Sequence, residues 1–154
     1  MQALQSRDLL SSDPHAMDQL QDFLRQRRDA HDPVEDLDAF EQELHRLFVA
    51  AEREALGQEL SRFDLDVPTI EVAGERYHRV LRCATTYNSA VGPVRVERSL
   101  YRRPHGEHAL CPLELRAGII EGYWTPLAAK QATWVVAHLT PKEGAELFDL
   151  LGNM

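Results

Sequence analysis

A chain of 154 residues with 44% hydrophobic and 27% charged content has the make-up of one modest soluble domain, or of a small domain with a helical extension. No run approaches the ~18 apolar residues that a membrane span needs; residues 1–18 lack an apolar leader core, and two cysteines are too few for a disulfide framework, so the expected compartment is the cytoplasm. The net charge of −8 is unevenly spread: residues 1–67 carry 16 acids against 7 Lys or Arg, residues 68–118 carry 5 against 8, and residues 119–154 carry 4 against 2. A polyanion is repelled by the first part and can be held only by the basic middle and the C-terminal part.

Residues 1–14 read as a polar, disordered tail ending at Asp13-Pro14. An acidic helical arm is expected over 15–66, made of two helices. The first runs from about His15 to Ala30, with Met17, Leu20, Phe23 and Leu24 on one side, and ends at His31-Asp32-Pro33. The second runs from about Asp36 to Phe63. Its apolar positions Leu37, Phe40, Leu44, Leu47 and Ala51 recur by threes and fours, then drift to Leu56, Leu60 and Phe63. That drift favours a packed helical hairpin over a long coiled coil and leaves residues 36–63 as the candidate contact for a homo-oligomer.

From Val67 the pattern turns to alternation, and residues 67–118 read as a basic antiparallel sheet of about four strands. These are Thr69 to Val72, Arg76 to Thr86, Val94 to Arg102 and Ala109 to Leu113, broken by turns at Ala73-Gly74-Glu75, Ser89–Pro93 and Pro104-His105-Gly106-Glu107. In the third strand Val94, Val96 and Leu100 form an apolar face, with Arg95, Glu97, Ser99 and Tyr101 on the polar one. Arg98 and Arg79 interrupt apolar faces; a charge placed there reaches the rim, finds a carboxylate or meets an external anion, and the rim is the usual answer.

Residues 119–154 read as a helix pair. Thr125-Pro126 and Thr140-Pro141 each place an N-cap before a proline at the first helical position, and Glu143 completes a capping box with Thr140. Leu127, Gln131, Trp134, Val135 and His138 trace one face of the first helix, while Ala145, Leu147, Phe148 and Leu151 mark the second, with Gly152-Asn153 as its C-cap. Trp134 and Phe148 are expected to pack between the two. The pair resembles an incomplete helix-turn-helix, whose third, DNA-reading segment is lacking. The fold class expected is therefore α+β: helical hairpin, small antiparallel sheet, C-terminal helix pair.

Catalytic chemistry is thin in this chain. Asp36 with Asp38 and Glu41 with Glu43 are paired carboxylates on a helix beside Arg46, and read as solvated faces. His105, His108 and Cys111, with Cys83 on a neighbouring strand, have the donor types of a zinc site but not a paired CxxC spacing; a turn histidine and a buried thiol are the preferred reading, with no metal. No phosphate-cradling glycine loop and no nucleophile–histidine order stand out.

Several segments together resemble the N-terminal region of bacterial insertion-sequence transposases of the Kra group. They are Phe40-Glu41-Gln42-Glu43-Leu44-His45; Tyr77-His78-Arg79-Val80-Leu81-Arg82 with Thr86-Tyr87; Gly92 through Arg102; Pro112-Leu113-Glu114-Leu115-Arg116-Ala117-Gly118; and Trp124 through Gln131 with Thr140-Pro141. The resemblance spans about three quarters of the chain, from Phe40 to Met154. It implies a segment that precedes a ribonuclease-H-like catalytic domain, where three acidic residues hold divalent metals for phosphoryl transfer. This chain lacks that part, so it is expected to be a truncation or the first frame of a split gene, inactive alone and without a cofactor of its own. The expected role is DNA binding and positioning in transposition, weak and salt-dependent, through Arg82, Arg95, Arg98, Arg102, Arg103, Lys130 and Lys142. The alternative is a protein-interaction or oligomerisation module with no nucleic-acid contact.

Overall fold

The computed structural model describes residues 16–151, so the tail expected over 1–14 and the cap expected at Gly152-Asn153 lie outside the described residues. In chain order the elements are α1 (Ala16–Asp29), α2 (Leu37–Arg62), β1 (Thr69–Val72), β2 (Glu75–Ser89), β3 (Gly92–Arg102), α3 (Pro112–Ala117), α4 (Pro126–His138) and α5 (Pro141–Leu151). Among the described residues the fold is α+β, with five helices and one three-stranded antiparallel sheet. It divides into two compact units, Met1–Glu54 and Ala55–Met154. No described helix is long and apolar enough to cross a membrane.

In the first unit α1 lies antiparallel to the early part of α2. Asp36 starts α2 by accepting the Ala39 N–H at 3.1 Å. Leu20, Leu47 and Ala51 are buried together with Phe23 against them. Phe23 stacks on Phe40 with ring centroids 5.6 Å apart, and the Met17 N–H reaches Glu54 Oε2 at 3.1 Å. Met17 and Leu24 stand outside this cluster, exposed, although the helical spacing grouped them with Leu20 and Phe23.

In the second unit the strand order is β1-β2-β3. Ala73 and Gly74, both at positive φ, make the two-residue turn that joins β1 to β2. The core gathers Leu60, Tyr87, Val94, Val96, Cys111 and Leu113, with Leu56, Phe63 and Leu100 beside them. Thus the last turns of α2 cover the apolar face that β3 was expected to present.

Three expectations need correction. The fourth strand, 109–113, is absent: Leu110 and Tyr101 exchange two backbone hydrogen bonds of 2.7 and 2.8 Å and the pairing stops. Pro112 cannot donate to a ladder, and it opens α3 instead, which Gly118 ends in the left-handed conformation at φ 66°. The second correction concerns β3, where Ser99 and Tyr101 are fully buried although alternation put them on the polar face. A strap formed by residues 64–68 crosses that face. Asp64 accepts both the Ser99 N–H (2.9 Å) and its hydroxyl (3.0 Å). The Tyr101 hydroxyl reaches the carbonyls of Leu65 and Val67, the latter at 2.7 Å, and the Pro68 carbonyl accepts the Arg79 N–H at 2.9 Å.

The third concerns α4. Ala128 and Val135 are its buried residues, whereas Leu127 and Trp134 are exposed, Trp134 by 59%. Trp134 stacks on His138 at 4.4 Å on the outside of the helix rather than packing against α5. The reason lies in Gly144, where a Cβ would stand 2.8 Å from Val135 Cγ1. Helices that approach this closely accept only small side chains at the crossing, and an indole does not fit. The capping box at α5 is as expected: Thr140 donates from N (2.9 Å) and Oγ1 (2.7 Å) to Glu143 Oε2. Thr125 occupies the N-cap of α4 but makes no side-chain cap bond; it is buried and donates its N–H to the Asn88 carbonyl.

Candidate nucleic-acid interface

The sheet carries most of the predicted site cations, and register decides which of its arginines face outward together. On the face crossed by the strap, Arg79 lies opposite Tyr101, Arg82 opposite Ser99 and Arg95 opposite Thr86. Asp66 on the strap pairs with Arg79 and, at 2.5 Å, with Arg82, whose Nε also lies 3.3 Å from Glu97 Oε2. With Asp64 beside them, this face is close to neutral. Arg95 is exposed on it, next to Glu97 along the strand.

On the opposite face Arg98 does not reach the rim, and this corrects the expectation for it as for Arg79. Arg98 turns inward to Glu114 of α3, which also accepts the Tyr87 hydroxyl at 3.0 Å. Both members of the pair are about four-fifths buried, with side chains 23% and 21% exposed. Burial and the neighbouring Glu114 carboxylate push the Tyr87 hydroxyl well above the ordinary tyrosine value. Burial works against the Arg98 charge, but Tyr87 and Glu114 override it, and the guanidinium is held more firmly protonated than usual. This cluster ties sheet to helix.

The remaining predicted cations are scattered. Arg103 pairs with Glu75, which raises its pKa, and its guanidinium lies 5.9 Å from the centroid of the Tyr77 ring. Lys142 lies 3.8 Å from Glu146 one turn along α5, and Lys130 is exposed on α4. Arg102, however, stands directly opposite His78, and His78 and Arg76 alternate onto the same face of β2. All three are exposed, and neither Arg76 nor Arg102 takes a carboxylate among the described residues, although Glu71 lies opposite Arg76 in register. Sequence reasoning chose Arg102 and missed Arg76 and His78; the signal for them was the two-residue turn, which fixes the register.

The histidine and cysteine donors do not converge. Among the described residues no three His, Cys, Asp or Glu side chains are grouped to hold a metal ion. His108 and Cys111 line an open groove of ≈ 450 Å³ beside α3, where burial pushes the Cys111 thiol up and away from the thiolate that zinc would need. Comparison with known proteins adds no assignment: no family model matches the chain, and no curated protein or solved structure resembles it significantly.

Proposed function

We propose that the chain is a DNA-positioning segment of a transposase, which holds phosphates without reading bases and performs no reaction itself. The observation that carries this reading is the exposed trio Arg76, His78 and Arg102 on one face of the sheet, in a region whose Arg outnumber its acids. Guanidinium groups at such an end suit phosphate oxygens, and contacts of this kind set register without sequence information. The α4–α5 pair, in the manner of the opening of a helix-turn-helix, offers Lys130 as an auxiliary contact. Arg82, Arg98 and Arg103 serve the fold in this reading, because each already neutralises a carboxylate.

The test is a titration of labelled duplexes, with and without terminal repeats, at two salt concentrations. Binding should be weak, indifferent to sequence and strongly salt-dependent. An Arg76→Ala, Arg102→Ala double variant should lose most of it and flatten the salt slope by up to about one unit per lost phosphate contact. No binding at low salt, or binding that the double variant leaves intact, would overturn the reading.

A further inference from the structure

Among its described residues the first unit has a second apolar strip that is exposed. On α1, Leu20, Phe23 and Arg27 turn toward α2, whereas Met17 and Leu24, two turns apart, are 40% and 43% exposed. On α2, Phe40, Leu47 and Ala51 turn toward α1, whereas Leu37 and Phe48 are 61% and 50% exposed. Both strips are displaced in the same rotational sense from the line of contact. In two right-handed helices that run antiparallel, such strips emerge on the same side of the pair. The result is one continuous face, two helices wide and about 20 Å long at 1.5 Å per residue.

The rims of that face carry opposite charges. Along α1 the strip continues from Leu24 one turn on to Arg28, while Arg25 behind it is paired with Asp22 at 2.9 Å; along α2 Leu37 and Phe48 are bordered by Asp38, Glu41 and Glu52. Arg28 and Glu41 lie near the same end of the pair, since α1 ends where α2 begins, and neither has an ionic partner among the described residues. A two-fold axis parallel to the helices would stack α1 of one chain over α2 of the other. It would bury all four apolar side chains twice and set Arg28 against Glu41 of the second copy.

We propose that this face is the contact between two copies of the chain, which close into an antiparallel four-helix bundle with α1 packed over the partner's α2. The occupant is a second copy because the face is complementary to itself under that rotation: basic rim on acidic rim, apolar strip on apolar strip. Four large apolar side chains on one side of a two-helix layer are what such a bundle buries. The contact uses none of the residues assigned to DNA and stands or falls separately from that reading.

Sedimentation of the full chain over a range of concentrations should show a reversible monomer–dimer equilibrium. Phe48→Glu should leave a monomer with unchanged helix content by circular dichroism. As a check that does not touch packing, Arg28→Glu and Glu41→Arg should each weaken the dimer by about tenfold through like-charge contact, and the double swap should restore it. A native chain that stays monomeric throughout overturns the proposal, as does a dimer indifferent to Phe48→Glu. A double swap that fails to restore pairing overturns the stacking of α1 on the partner's α2.

Discussion

Arg98 shows what a sequence can and cannot reveal about a single side chain. Its place between Val96 and Leu100 on an apolar face announced a charge that needed an answer. The answer, Glu114, sits on a helix whose relation to β3 follows neither a strand nor a helix period, so no spacing rule could supply it. Removing one partner from such a pair leaves the other charge uncompensated, at ~3–5 kcal/mol for full burial and about 2 kcal/mol for a pair still one-fifth exposed. Glu114→Gln should therefore lower unfolding stability in urea by about that amount. Glu43→Gln, which breaks the exposed pair with Arg46, should leave it unchanged. Tyr87 gives the same cluster a pH signature. Its folded-state pKa lies above the unfolded value of about 10, so the stability it contributes is full below that pH and declines as pH rises toward the folded value. Burial of Cys111 acts in the same alkaline direction. Tyr87→Phe should flatten the loss of stability measured above pH 10; an alkaline slope identical to that of the native chain would place its origin elsewhere.

At the level of elements, boundaries were legible wherever a residue's covalent chemistry dictates them, and faces were less so. Thr140-Pro141 with Glu143 marked the start of α5, and Ala73-Gly74 marked the β1–β2 turn, because caps and left-handed turns depend on local groups alone. The inward face of α4 was misread by one position. Apolar residues lie on more than one side of that helix, so size alone singled out Trp134 as its core residue, whereas the closeness of α5 selected Val135, with Ala128 buried two turns earlier on the same face. A consequence can be measured at Gly144. Alanine in place of a helical glycine ordinarily stabilises by about 1 kcal/mol. Here the added methyl would stand 2.8 Å from Val135 Cγ1, so Gly144→Ala should fail to stabilise and should lower the melting temperature. Val135→Ala alone costs a cavity, but combined with Gly144→Ala it removes the clash and should recover part of the loss, giving a favourable coupling in a double-mutant cycle. Strict additivity would mean that the two helices move apart freely. The strap over residues 64–68 lay beyond sequence reading for a similar reason, since its hold on Ser99, Tyr101 and Arg79 comes from register and not from pattern.

For the molecule as a whole, the division into two units sets an expectation about where it opens first. The second unit has a three-stranded sheet and a six-residue buried core, whereas the first rests on Leu20, Leu47 and Ala51, with Phe23 and Phe40 stacked beside them. Free energy of local opening tracks buried apolar contact, so amides of α1 should exchange hydrogen much faster than those in the paired register of β2 and β3. The sequence hinted at this imbalance through its acidic, poorly sustained stripe over 36–63, in which Leu37 stands exposed with Phe48 beside the stripe. If two copies close over Met17, Leu24, Leu37 and Phe48, association adds stability that rises with protein concentration, because the dimer binds only the folded unit. Protection of α1 amides, read by mass spectrometry at two concentrations a hundredfold apart, should then increase with concentration while protection in the sheet stays constant. Above the dimer dissociation constant each tenfold rise in concentration adds up to about 0.7 kcal/mol per chain to the opening free energy, half of the 1.4 kcal/mol that a factor of ten represents. With Phe48→Glu the same comparison should show no concentration dependence. If α1 exchanges at one rate at every concentration in the native chain, the apolar strip stays open to solvent and the unit must stand on its own small core.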